Sequence, residues 1–261
     1  MTNYAIIAGK GDLPVILAES LPDAKIVCID GEENQKLKAD LVTKFGQVGK
    51  FIDFLKQNNV TNLIFAGAMK KPNLSDIIPD VEGTKLLAKI MAGKIFGGDD
   101  KLLTTIIKFL EGKGFKVVGA HEVVPQILAE EGFVGSVRPV YVNEIGFGLK
   151  EAQKLGRMDI GQAVVVENSK VIACEDENGT ENLIKRAGKV KTTKAAYLVK
   201  ACKPQQDKRI DLPAIGLDTI QQLKDAGLAG VAVEAGKSII INKQQVLELA
   251  DKLGIFVYGV K

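Results

Sequence analysis

The chain has 261 residues, 46% of them hydrophobic and 26% charged, and its Lys+Arg 35 against Asp+Glu 32 leaves a net charge of +3. That length allows one large domain or two of about 130 residues, and the composition is that of a soluble, core-forming chain. The charge is too balanced for a nucleic-acid binder, no apolar run reaches the ~18 residues of a membrane span, and Met1-Thr2-Asn3 lacks the basic start of a secretory leader.

In chain order, Tyr4–Ala8 (YAIIA) reads as a buried strand, followed by a glycine turn and a helix across Val15–Ser20. Ala24–Ile29 is a second strand. Gly49–Gln57 places Phe51, Ile52, Phe54 and Leu55 at helical spacing. Asn62–Ala66 is a strand ending at Gly67, and Thr84–Ala92 and Lys101–Gly112 are helical. Lys116–Gly119 is another strand. This order predicts a parallel sheet flanked by helices. In such sheets ligands sit beyond the carboxyl ends of the strands. The segments Gly9–Pro14, Gly67–Pro72 and Gly119–Glu122 all follow strands, so they are expected to share that edge.

Composition changes across Gly132–Pro139, which sets a soft domain boundary between residues 1–134 and 135–261. Beyond it, Asn143–Gly156 is a helix. Gln162–Val166 and Lys170–Glu175 form a hairpin across Asn168-Ser169. Thr180–Ala187 is a helix and Tyr197–Ala201 a strand. Leu217–Ala226 is a helix, Gly230–Val233 and Ser238–Asn242 are strands, Lys243–Leu253 is a helix and Phe256–Gly259 a last strand. The fold class is therefore α/β: a parallel-sheet N-terminal domain and a mixed C-terminal one.

The richest stretch for chemistry is Lys203–Gly216, KPQQDKRIDLPAIG. Pro204 and Pro213 restrict the backbone. Lys203, Lys208 and Arg209 suit phosphate oxygens. Asp207 and Asp211 suit Mg²⁺ or a water to be activated. The stretch points to a phosphorylated ligand handled with a divalent metal.

Other motifs are weighed against plainer readings. Gly9-Lys10-Gly11-Asp12-Leu13-Pro14 opens a helix and offers amides and a positive dipole end to an anion; a plain strand–helix turn explains it equally. Pro14 stands where a dinucleotide fingerprint has its third glycine, which argues against NAD. Gly67 and Lys71 lie in a second loop on the same edge. Gly230–Ser238 fails as a Walker loop, and Gly236-Lys237 reads as a hairpin turn. Asp99 and Asp100 precede a helix, as caps or as contacts to a metal or substrate hydroxyl. His121, the single histidine, follows a strand at the expected ligand edge and is a candidate substrate contact or a structural hydrogen-bonding residue; a zinc centre is not expected. The loop Gly156–Gln162 carries Asp159 and Gln162, and Glu175 and Thr180 flank the next turn; Gln162 and Thr180 are candidate substrate contacts, and Asp159, Glu175 and Asp211 could converge on one metal. Cys28, Cys174 and Cys202 show no CxxC spacing, as expected of a reducing, cytoplasmic compartment.

The strings GKGDLP (9–14), AGAMKKP (66–72), GDD (98–100), GAHEV (119–123), GRMDIGQ (156–162), EDENGTENLI (175–184), KPQQDKRIDLPAIG (203–216), GLAGVAVEAG (227–236) and LGIFVYGV (253–260) occur in this order. Over nearly its whole length the chain resembles the UDP-2,3-diacylglucosamine pyrophosphatase family of lipid A biosynthesis, in its two-domain form. The resemblance implies a Rossmann-like N-terminal domain, a family-specific C-terminal domain, and the lipid in the crevice between them. It implies Mg²⁺-dependent hydrolysis to UMP and 2,3-diacylglucosamine 1-phosphate by a homodimer, with transient contact at the inner face of the cytoplasmic membrane. The aspartate of the R-x-D-L-P motif, essential for turnover in the family, is here Asp211 in Arg209–Pro213.

On that reading Asp211 ligates the metal or orients the attacking water, with Asp207 and Glu175 as further candidates for the same shell. Lys203, Arg209 and Lys200 offset phosphate charge. Gly9–Gly11 and Asp99-Asp100 hold UMP or glucosamine hydroxyls. Leu86–Phe96 either lines the lipid site or is one apolar helix face on the sheet. The alternatives are a nucleotide-sugar-binding module without hydrolysis and a pyrophosphatase for another UDP-sugar.

Overall fold

The computed structural model describes residues 3–70, 72–73, 77–94, 99–138 and 142–261. The chain divides into two compact units: Met1–Pro125 with Asp207–Ile210, and Gln126–Gln206 with Asp211–Lys261. The division falls after Pro125, upstream of the 134/135 boundary expected from composition. The physical reason is a short strand, β6 (Gly132–Phe133), which pairs antiparallel with the last strand of the chain and so builds the second unit.

The first unit is a parallel sheet of five strands: β1 (Tyr4–Ala8), β2 (Lys25–Ile29), β3 (Leu41–Thr43), β4 (Asn62–Ala66) and β5 (Lys116–Val117), in the order β3-β2-β1-β4-β5. Ala5 and Ile7 are buried on one face of β1, and Ile6 and Ala8 on the other. A strand covered on both faces reads as a continuous apolar run rather than an alternating one, as YAIIA does. Helices α1 (Leu13–Ser20), α2 (Val48–Gln57), α3 (Val81–Lys94), α4 (Asp99–Glu111) and the short α5 (Ala120–Val123) complete the unit. Ile52, Leu55, Leu86, Ile90, Ile107 and Leu110 pack with Ala5, Ile7 and Leu63 in one core. Leu86 and Ile90 thus serve as a core face, as the plainer reading of that helix holds, while Met91 is exposed. Phe96 lies outside the described residues.

The strand order reverses between β1 and β4, whose loops leave from adjacent strand ends, the usual place for a ligand crevice. Here the two loops are joined. Lys10 and Ala68 form an antiparallel bridge, with Lys10 N donating to Ala68 O at 2.8 Å and Ala68 N to Lys10 O at 3.0 Å. A Cβ on Gly9 would lie 2.5 Å from Ala68 O, and one on Gly67, at φ +88, would lie 2.6 Å from Lys10 O. Both glycines are required by this close approach.

The second unit is a mixed sheet of six strands: β6, β7 (Ala163–Glu167), β8 (Lys170–Cys174), β9 (Tyr197–Lys200), β11 (Gly230–Glu234) and β13 (Phe256–Val260), in the order β6-β13-β11-β9-β7-β8. Strands β9, β11 and β13 are parallel, and β7 runs antiparallel to β8 and β9. The expected β7–β8 hairpin turns through Asn168 and Ser169 at φ 50 and 57, the left-handed pair that suits a tight turn between twisted strands. One face packs on α7 (Gly179–Val190), α8 (Leu217–Asp225) and α9 (Lys243–Leu253) through Leu183, Ile184, Ile220, Leu223, Val246 and Ala250. The other packs on α6 (Val142–Arg157) through Ile145, Leu149 and Ala152.

One expectation is corrected. Gly236-Lys237 does not close a hairpin: β12 (Ile239–Ile240) leaves the main sheet and pairs parallel with β10 (Ala214–Ile215). Gly236, at φ +70, instead donates its N–H to Ala129 O at 2.9 Å. The strand expected over Ser238–Asn242 is there as the two residues of β12, whereas the two-residue strands β6 and β10 carry no readable period and sequence pattern passes over them.

Candidate functional site

The charged constellation of the second unit is built at the carboxyl ends of β9 and β11. Lys200 is the last residue of β9. It is 8% exposed, and its Nζ donates to Ala214 O at 3.1 Å. Burial lowers its pKa, while the charges of Glu175 and Asp211 act in the opposite sense. Two carboxylates that the sequence separates widely thus act on one buried lysine.

Glu175 follows β8 and is itself buried, at 6% exposure. It accepts the Gln162 N–H at 2.7 Å and the Thr180 hydroxyl. Gly161 is required here, since a Cβ would lie 2.8 Å from the Glu175 Cβ. Gln162 and Thr180 thus meet at Glu175, as neighbours of one carboxylate. The buried Gln162 Oε1 has no hydrogen-bond partner among the described residues. An unpaired buried carbonyl is costly, so it marks a place where a donor belongs.

Beyond Lys200 the chain forms a strap, residues 202–206, tied at Cys202, Lys203, Gln205 and Gln206. The Cys202 N–H donates to Glu234 Oε2 at 3.0 Å. Lys203 Nζ pairs with Asp159 at 2.8 Å, and Gln205 Nε2 donates to Gly156 O at 2.8 Å. Gln206, 8% exposed, accepts the Lys203 N–H at 3.1 Å and donates from Nε2 to Asp211 Oδ2 at 2.7 Å. Glu234, which sequence reasoning passed over, ends β11 at 5% exposure and also accepts Lys237 Nζ at 2.6 Å. An acid closing the apolar run GVAV at the carboxyl end of a parallel strand was the available signal.

The segment Asp207–Ile210 belongs to the first unit. Asp207 and Arg209 pair there, Arg209 NH1 reaches Glu111 Oε1 at 2.6 Å, and Ile210 packs against the core containing Leu63 and Leu110. The Arg209 side-chain hydrogen bonds hold Asp207 below the usual carboxylate range, against the effect of burial. Asp207 and Arg209 are thus placed with the first unit, and Lys203 and Asp211 with the second.

At the carboxyl edge of the first unit, Lys10 pairs with Glu32 at 3.0 Å, and Glu32 also accepts the Lys70 N–H at 3.2 Å. Those bonds, Lys10 first, lower the Glu32 pKa. Buried Asn34 donates from Nδ2 to both Gly9 O and Gly11 O at 2.8 Å. The Gly9 and Lys10 N–H groups are taken by Ala66 O and Ala68 O, so they are committed to the loop bridge rather than aimed at an anion. His121 lies in α5 after β5, its ring against Gly119. Lys71 lies outside the described residues, as do the side chains of Asp99 and Asp100 at the start of α4.

Among the described residues no three His, Cys, Asp or Glu side chains are gathered as a metal cluster. Asp159 is engaged by Lys203, while Glu175 and Asp211 both act on Lys200. Hard carboxylates are the ligands that Mg²⁺ takes, and both Glu175 oxygens are engaged here, by the Gln162 N–H and the Thr180 hydroxyl.

Comparison with known proteins agrees with this layout. The LpxI N-terminal domain matches residues 3–127 and the LpxI C-terminal domain residues 130–258. A curated protein of Caulobacter vibrioides, named UDP-2,3-diacylglucosamine pyrophosphatase LpxI, is 34% identical over an alignment of 277 positions that covers 100% of this chain and 98% of that protein. With both domains matched and the relative covered end to end, the chain belongs to the LpxI family.

Proposed function

We propose that this chain is an enzyme that hydrolyses the pyrophosphate of UDP-2,3-diacylglucosamine to UMP and 2,3-diacylglucosamine 1-phosphate. The observation that carries the reading is the end-to-end similarity to a pyrophosphatase of that name. Asp211, tied by Gln206 and facing the buried Lys200, supports it. In the reaction a water oxygen bonds to one phosphorus, the bridging P–O bond breaks, and the bridging oxygen leaves on the other phosphate. The water proton must pass to a base.

Asp211 is that base, or it orients the water; Lys200 and Lys203 offset the negative charge around it. Gln162, through its unpaired carbonyl, accepts a hydrogen bond from the bound ligand beside Glu175. Asp211 and Glu175 would hold Mg²⁺, which when bound neutralises phosphate charge and polarises phosphoryl oxygen. The reading carries with it a cytoplasmic homodimer that touches the inner membrane surface transiently, where the acyl chains of the substrate reside. Among the described residues no helix is long and apolar enough to cross a membrane.

The test is product analysis of purified protein with UDP-2,3-diacylglucosamine, with Mg²⁺ and with EDTA, beside Asp211→Ala. UMP and the diacylglucosamine phosphate should appear only with metal and intact Asp211, and Asp211→Ala should lower kcat about 10²–10⁴-fold. Turnover of another UDP-sugar in place of this one would move the substrate assignment. Ligand binding without cleavage by folded wild type would leave a binding module.

A further inference from the structure

We propose that Gln206 is the positioning residue for Asp211, holding one carboxylate oxygen by an amide whose orientation the strap dictates. The inference rests on the reading above. Gln206 is one of the few buried polar side chains of the second unit. Its Oε1 accepts the Lys203 N–H at 3.1 Å and lies 3.9 Å from Cys202 Sγ. An amide that accepts at Oε1 must present its NH₂ elsewhere, and here it meets Asp211 Oδ2 at 2.7 Å. The strap itself is anchored to the sheet, because the Cys202 N–H is held by the buried Glu234 carboxylate at 3.0 Å.

The order of the chain gives this bond a second consequence. Gln206 and Asp211 are the last and first residues of the second unit on either side of Asp207–Ile210, which belongs to the first. The Gln206–Asp211 hydrogen bond closes the base of that segment. Near the pair are Lys200, on which both Asp211 and Glu175 act, Lys203, whose Nζ is held by Asp159, and Cys202 Sγ, 3.9 Å from Gln206 Oε1.

The experiment compares wild type, Gln206→Leu and Gln206→Glu in steady-state hydrolysis of UDP-2,3-diacylglucosamine between about pH 5 and pH 8, with thermal unfolding of each protein as the folding control. Gln206→Leu removes the donor, and misplacing a reacting group by about 1 Å costs on the order of 10²-fold. Its kcat should fall by about that factor with KM changed by less than about threefold.

Gln206→Glu keeps an acceptor for the Lys203 N–H but sets a second carboxylate oxygen against Asp211. Its kcat should fall at least as far as that of Gln206→Leu, again with KM changed by less than about threefold. A merely structural role would lower the unfolding temperature and move kcat and KM together. Wild-type kcat in folded Gln206→Leu or in folded Gln206→Glu overturns the inference while hydrolysis by wild type stands. A wild type that does not hydrolyse the substrate overturns the functional reading and this inference with it.

Discussion

Arg209 holds Asp207 through two nitrogens at once: Nε lies 2.9 Å from Oδ1, and the second guanidinium nitrogen, NH2, lies 2.6 Å from Oδ2. NH1 continues to Glu111 on α4 at 2.6 Å. The pair is thus a rigid two-point contact of the kind that only arginine makes. It fastens a segment drawn from the second half of the sequence into the first unit.

Arg209→Lys should weaken this fastening, since an ammonium cannot fork. Because Arg209 is about a third exposed, solvent screens the pair, and the coupling between Arg209 and Asp207 should be about 1 kcal/mol in a double-mutant cycle followed by urea unfolding. Additive single-variant effects would show that the fork adds nothing.

The bridge between the β1 and β4 loops makes a second expectation. Gly67→Ala puts a Cβ against Lys10 O and Gly9 O at a left-handed backbone, whereas Gly11, at φ +95, has open space around the position of a Cβ. Gly67→Ala should cost about 3 kcal/mol and Gly11→Ala about 1 kcal/mol. Chemical denaturation of the two variants side by side decides this, and equal losses would count against a steric role for Gly67.

Glu167 ends β7 and is 4% exposed. Burial alone would raise its pKa, but the N–H and hydroxyl groups of Thr192 and Thr193 bind its carboxylate and hold it at about 2. A carboxyl depressed in the folded state contributes stability above its unfolded pKa, and that contribution is lost as pH falls through the folded value. Glu167→Gln should therefore destabilise by about 1–3 kcal/mol near neutral pH. The gap from wild type should narrow as pH falls from about 4.5 toward 2. Thermal unfolding at several pH values measures it, and a gap independent of pH would contradict the assignment.

Much of the architecture could be read from the chain. YAIIA, NLIFA and GVAVE are apolar runs of strand length bounded by glycine or a polar residue, and they form β1, β4 and β11. The helices α2, α4 and α9 show the 3.6-residue repeat of an amphipathic face, and each sits within a residue or two of its expected bounds. Asn168-Ser169 carries its turn in its residue types. Local signals of this kind depend on neighbours in sequence, which is why they survive without a structure.

The site was legible only in part. The stretch Lys203–Gly216 stands out by composition, and Asp211 and Lys203 do lie in a tied, charged strap. Glu175 and Lys200 look ordinary in sequence, and Glu234 looks like the end of a strand. Their meeting depends on pairing between strands distant in the chain: Ala163 opposite Lys200, and Val233 beside it.

The residues themselves determined the α/β class, the family resemblance and the glycine-rich turns, because periodicity, propensity and motif order are local properties. Tertiary structure alone decided that Gly9 and Gly67 face each other, that Asp207–Ile210 joins the first unit, and that Gln206 closes on Asp211. Each of these is a contact whose geometry comes from sheet order and chain return. A buried polar group must find its partner wherever the fold brings one, at whatever distance along the chain.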